Sequence, residues 1–167
     1  VAKILAERMG VWCYDRDILT IAAERIGNEE LTEDTINDLN YKRNDVASAG
    51  ITGVMGMGNI PIYNQMFLEQ AKIIRKLANY GSAVFLGRCA DYILKEIKNC
   101  TSVYLYADRE FRKNRVKEIY GSNAEIMDKE EKNRADYYNY YTGNRWGDIN
   151  NYDFAINTSK VSFEEAA

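Results

Sequence analysis

Residues 81–94 read Gly81-Ser82-Ala83-Val84-Phe85-Leu86-Gly87-Arg88-Cys89-Ala90-Asp91-Tyr92-Ile93-Leu94. Ala83 to Leu86 is an unbroken apolar run, the pattern of a short strand covered on both faces. Gly81 stops whatever precedes it, and Gly87 with Arg88 closes the run on the other side. A helical pattern from Ala90 to Lys98 follows. Strand, polar turn and helix in that order are half of a βαβ unit. They set the expectation of an α/β fold with a mostly parallel sheet flanked by helices.

The neighbouring segments repeat the alternation. Upstream, Met66 to Tyr80 predicts a helix with Phe67, Ile73, Ile74 and Leu77 inward. Farther back, Val1 to Met9 reads as a helix with Ile4, Leu5 and Met9 on one face and Gly10 as its stop. Val11 to Tyr14 is a strand candidate. Asp15 caps a helix whose stripe is Ile18, Leu19, Ala22 and Ile26, and Thr32 caps another. Downstream come a strand from Ser102 to Tyr106, a basic helix opened by Asp108 and running to Tyr120, a polar helix from Ala124 to Tyr141, and a last strand from Tyr152 to Ile156. No repeat or linker interrupts residues 1–167, so one domain is expected. The first helix has no N-cap. Ser162 with Glu165 forms a capping box whose helix stops at Ala167. Both ends therefore read as interrupted elements.

Composition narrows the chemistry. The chain has 167 residues, 22 Lys+Arg against 25 Asp+Glu, a formal charge of −3 and no histidine. Ser-His-Asp and Cys-His hydrolysis, histidine-ligated zinc and imidazole acid–base catalysis are excluded. Cys13, Cys89 and Cys100 are odd in number and lack Cys-x-x-Cys spacing, which favours a reducing cytoplasm over a disulfide framework. No apolar run reaches the ~18 residues of a membrane span. The net negative charge disfavours a nucleic-acid partner.

In an open parallel sheet, ligands sit beyond the carboxyl ends of the strands. Those ends carry Asp15-Arg16-Asp17, Gly87-Arg88, Asp108-Arg109 and Asn157-Thr158-Ser159. Any one group also reads as a set of helix caps; together they suit an anionic ligand. Arg88 directly follows the apolar run, and a guanidinium clamps phosphate bidentately; a structural salt bridge is the other reading. Arg109, Arg112, Lys113, Arg115 and Lys117 form either a solvated face or a lid that neutralises a transferring phosphoryl group, with Lys132 and Arg134 on the next helix completing it. The aromatic stretch Tyr137 to Trp146 reads as helix packing or as a stacking platform for bases. Glycines 50, 53, 56 and 58 lack the preceding strand and Gly-Lys-Ser/Thr ending of a Walker loop, and read as a flexible loop.

These stretches, V-W-C-Y-D-R-D-I-L, A-V-F-L-G-R-C-A-D-Y-I-L, Y-Y-N-Y-Y-T-G-N-R-W-G-D and N-Y-D-F-A-I-N-T-S, together resemble the cytidylate kinase-like family of P-loop nucleoside monophosphate kinases. The resemblance spans nearly the whole chain. It implies a five-stranded parallel sheet, ATP with Mg²⁺ as donor, and phosphoryl transfer to a small nucleotide acceptor. Carried over position by position, Arg88, with Gly87, matches the acceptor-phosphate arginine. Arg112 and Arg115 fall in the lid, which spans roughly 109–134, and Arg134 matches an arginine on the following helix. Asn157, Thr158 and Ser159 fall near the donor adenine. Asp15 matches the acidic residue near acceptor and metal.

The acceptor-binding insertion would span roughly 28–65. Where true cytidylate kinases carry Ser-Gly and a downstream arginine, this chain has Arg16, Asp17 and Ile21, so Arg16 and Asp17 become the acceptor contacts there. The family's first strand and phosphate loop precede the helix in which Val1 sits, so about 20 residues holding them are expected upstream of it. Two alternatives stand beside the kinase reading. One is a nucleotide-sensing module of the same fold without turnover; the other is a single-stranded nucleic-acid binder.

Overall fold

The computed structural model describes residues 1–15, 18, 20–21, 62–121 and 124–167. Most of the predicted helix after Asp15, the helix capped by Thr32, residues Arg16 and Asp17, the glycines at 50–58 and most of the expected insertion lie outside them. Helix α1 (Ala2–Met9) ends on Gly10 in the left-handed conformation, φ 66°. There the Val11 N–H reaches back to the Ala6 carbonyl at 2.9 Å. Ala6 is its buried residue, whereas Met9 is exposed. The turn delivers the chain into β1 (Trp12–Tyr14).

Helix α2 (Ile62–Tyr80) starts earlier than predicted. Its buried stripe is Met66, Gln70, Ala71, Ile73 and Ile74, spaced as one helical face. Strand β2 (Ala83–Phe85) then pairs parallel with β1, Trp12 opposite Ala83 and Tyr14 opposite Phe85. The Tyr14 and Phe85 rings stack at 5.4 Å. Helix α1 packs against both strands.

Expectation and structure part at three places. The run 83–86 is not enclosed on both faces: Ala83 to Phe85 are half-buried and Leu86 is 41% exposed, since among the described residues β2 has a strand neighbour on one side. Helix α3 is only Ala90–Ile93. Beyond it the Lys95 and Ile97 N–H groups bond three residues back, so the chain tightens into turns up to Asn99 at φ 66°. And no continuous sheet forms among the described residues. β3 (Val103–Tyr106) pairs parallel with β4 (Phe154–Asn157), forming a second two-stranded sheet separate from β1–β2.

Helices α4 (Arg109–Tyr120) and α5 (Ala124–Thr142) cross between β3 and β4, as a parallel pair requires. One buried cluster unites the elements: Met66, Ile73 and Ile74 of α2, Ala90 and Ile93 of α3, Leu94, Tyr138 of α5, and Ile18. The Ser162–Glu165 capping box forms, at 2.8–3.2 Å, but closes one turn rather than opening a helix. Among the described residues no helix is long and apolar enough to cross a membrane.

Candidate functional site

At the carboxyl end of β2 the backbone does something rare. Gly87, Arg88 and Cys89 have φ of 68°, 59° and 56°, three successive residues in the left-handed region. Glycine adopts this freely; Arg88 and Cys89 each do so at a cost of about 1–2 kcal/mol. The Ala90 N–H closes the turn on the Gly87 carbonyl at 3.0 Å, and the Leu86 N–H, bonded to the Tyr14 carbonyl at 2.8 Å, ties it to the end of β1 beside Asp15. Cys89 is buried and locks the turn into the core, while Arg88 stays half-buried at the rim. Burial pushes the Cys89 thiol up to about 12, with Asp91 adding to the shift and Arg88 opposing it. That thiol is no nucleophile at neutral pH.

Behind the turn stands Gln70, fully buried on α2. Its Nε2 donates to the Arg88 carbonyl at 3.1 Å and to the Tyr137 hydroxyl at 3.3 Å, while its Oε1 has no partner among the described residues. Burial raises Tyr137 well above the usual phenol range, so it is a neutral hydroxyl here. Tyr137 and Tyr141 pack edge to face, and the Tyr141 ring stacks on Phe67 at 4.0 Å. These tyrosines join α5 to α2, which settles their part of the aromatic stretch as packing.

The ends of β3 and β4 form a second polar group. Asp108 accepts from Asn157 Nδ2 at 3.3 Å and pairs with Lys160 at 3.2 Å, and its N–H donates to Ser159 Oγ at 3.1 Å. Bonds from Asn157 foremost, then Lys160 and Ser159, hold the Asp108 carboxyl below its ordinary range. The Ser159 N–H bonds Asn157 Oδ1 at 3.0 Å, and Thr158 Oγ1 donates to the Tyr106 carbonyl at 3.1 Å. Asn157, Thr158 and Ser159 thus satisfy one another and the strand end.

The basic helix is latched to its neighbour. Arg109 pairs with Asp128, and Arg112 pairs with Glu131 while its Nε donates to the Ala107 carbonyl at 3.0 Å. Arg115 lies over the Phe163 ring at 4.3 Å. Arg134 is exposed on α5, one turn before Tyr137. The rim residues therefore gather in two groups, Asp15 with Gly87–Arg88 and Asp108 with Asn157–Ser159, with Arg112 held between α4 and α5.

The family profile for the cytidylate kinase-like family matches residues 1–160. The chain belongs to the cytidylate kinase-like family. Membership indicates a nucleotide kinase-like role. Among solved structures, this kinase-like chain is similar to an uncharacterized protein from Eubacterium ventriosum ATCC 27560. The two share 26% identity over 93% of this chain and 77% of that one, with a TM-score of 0.63. No curated protein matches. Within the kinase-like chain, the Tyr-Tyr-Thr-Gly-x-x-Trp-Gly-Asp stretch, which carries much of the resemblance, builds a helix stop. Thr142 Oγ1 donates to the Tyr138 carbonyl at 2.7 Å, Asn139 Oδ1 accepts from the Trp146 N–H at 2.7 Å, and Asp148 caps the 3-10 turn Ile149–Asn151. Trp146 meets Tyr104 edge to face.

Two features escaped the sequence. Gln70 was readable as a polar residue on the apolar stripe of α2, four after Met66 and four before Ile74. The other is a polar cavity of about 250 Å³ lined by Asp91, Lys95, Ser102, Tyr138, Asn144 and Asp153, among others. Ser102 and Asp153 precede β3 and β4, so the cavity lies at the strand ends opposite the rim. Its carboxylates are engaged. Tyr138 donates to Asp91 at 2.6 Å, and Asp153, held below its ordinary range by the Ser102 N–H and hydroxyl, accepts both at 2.7 and 2.9 Å. No signal in spacing or composition marked it.

Proposed function

We propose that the chain carries out ATP-dependent phosphoryl transfer to a nucleoside monophosphate, cytidylate-like, or a related small acceptor, on a P-loop kinase-type architecture. The observation that carries this reading is the strained turn that presents Arg88 at the carboxyl end of a parallel strand, in a chain of this family. Strain in an otherwise well-packed backbone marks a position kept for its geometry. A half-buried guanidinium there has the fork shape and charge to orient an acceptor phosphate.

Transfer needs an acceptor oxygen to attack the γ-phosphorus of ATP as the bond to the β-phosphate oxygen breaks and ADP leaves. The protein's part is positioning and charge neutralisation. Arg88, with Gly87 leaving room, would hold the acceptor. Arg112, Arg115 and Arg134 would swing onto the phosphates, exchanging Glu131 and Phe163 for the ligand. Arg16 and Asp17 would flank the acceptor, and Asn157 to Ser159 would border the donor base. Among the described residues no group of three metal-ligating side chains occurs. Mg²⁺ would be held mostly by nucleotide phosphates and water, and Asp15 would hold the acceptor's polar group or a metal-bound water. Bound so, it supplies further neutralisation of phosphate charge.

The test is steady-state phosphoryl transfer from ATP–Mg²⁺ to CMP and the other monophosphates. Arg88→Ala should lower kcat/KM for the best acceptor about a hundredfold. An unchanged value with every acceptor overturns the role of Arg88. The commitment of Arg112 to Glu131 and of Asn157 to Asp108 favours a second reading, a nucleotide-binding module without turnover. Calorimetric CMP binding with no product from any monophosphate would select it.

A further inference from the structure

We infer that Gln70 is a positioning residue that sets the aim of Arg88 and couples it to the helix bearing Arg134. The inference deepens the kinase reading and rests on it for its functional half.

A carboxamide inside a core is costly unless its polar atoms are matched. Gln70 is nevertheless wholly buried beside Met66, Ile73 and Ile74 on α2, with its Oε1 unmatched among the described residues. What the surrounding described residues do match is its two N–H donors. One goes to the carbonyl of Arg88, in the middle of three left-handed residues; the other goes to the hydroxyl of Tyr137 on α5. Donation to a carbonyl also fixes the amide orientation, because a flipped Oε1 would face another oxygen.

An apolar residue of equal size would fill the space and remove the unmatched oxygen, but could hold neither partner. Tyr137 stands one helical turn from Arg134, so a single amide bridges the two arginine-bearing elements. The Cys89 side chain pins the turn from its far end, and Gln70 pins its centre.

Two readouts test this in the whole protein. Hydrogen exchange at the Ala90 N–H, which closes the turn, should accelerate about tenfold in Gln70→Leu relative to the Thr158 N–H, whose bond to the Tyr106 carbonyl lies in the other sheet. Gln70→Glu should behave like Gln70→Leu at high pH. It should recover protection as pH falls, because a buried carboxyl has a raised pKa and regains a donor when protonated. CMP titrations of the same variants should show affinity falling and returning in parallel with exchange.

Unchanged Ala90 exchange in Gln70→Leu, or no recovery at low pH in Gln70→Glu, overturns the inference. If wild-type protein binds CMP and Gln70→Leu binds it equally well despite faster exchange, the aiming role is overturned. If wild-type protein binds no monophosphate while exchange responds as expected, the kinase reading fails and Gln70 stands as the support of the turn.

Discussion

Replacing Arg88 by glycine and by alanine separates what its side chain does from what its backbone endures. Both variants lose the guanidinium and whatever it touches, so their difference isolates the backbone at φ 59°. Alanine inherits the left-handed penalty of about 1–2 kcal/mol. Glycine escapes it but loses about 0.5–1 kcal/mol to the greater freedom of its unfolded chain. The balance leaves Arg88→Gly more stable than Arg88→Ala by about 0.5–1 kcal/mol, or about 1–4 °C in Tm for a chain of this size. Urea denaturation at pH 7, followed by circular dichroism, and a thermal scan at matched concentration measure it. Both variants should have lost acceptor phosphorylation to the same degree. If the alanine variant melts at or above the glycine variant, Arg88 is not strained in the folded protein, and the argument from strain to function collapses.

Ile74→Ala should destabilise the fold by about 2–5 kcal/mol, since Ile74 is fully buried at the centre of the cluster; a urea midpoint shift of under 1 kcal/mol would show that the cluster is not the core. Alkylation at pH 8 should modify the exposed Cys100 far faster than Cys89, which is buried with its thiol pushed up to about 12; peptide mass mapping reads the ratio, and equal labelling would place Cys89 at the surface. The Asp153 carboxyl is depressed in the folded state, so its contribution is present above the unfolded value of ~3.9 and disappears as pH falls through the lower folded value. Asp153→Asn should accordingly flatten the drop in denaturation midpoint between about pH 5 and pH 3; an identical slope in both proteins would remove Asp153 from the acid response.

What could be read from the letters was local and periodic. Gly10 marks a helix end because it sits at φ 66°, a conformation glycine adopts without steric cost. The parallel pairing followed from strands alternating with helices, and the arginines were placed at strand ends by the same logic. Three things were not readable. Arg88 and Cys89 enter the left-handed region without being glycine or asparagine, and no propensity announces that. Helix α3 stops at Ile93, although the apolar spacing through Ile97 is helical, because the turns that follow still point Leu94 and Ile97 inward. The pairing of Arg112 with Glu131 depends on two helices meeting, which charge patterning within either one does not contain.

Among the described residues the strands stand in two separate pairs, with a consequence for how such a protein changes over generations. Two ribbons of three or four residues have little cohesion of their own; the helices and their shared cluster form the chassis on which both ride. Arg88, Asp108 and Asn157 stand at the tips of those ribbons, outside the cluster. A substitution at a tip leaves the chassis intact, and the tips of one ribbon can drift independently of those of the other. The strand tips are then the most evolvable part of this architecture, and the helical interior the most conservative.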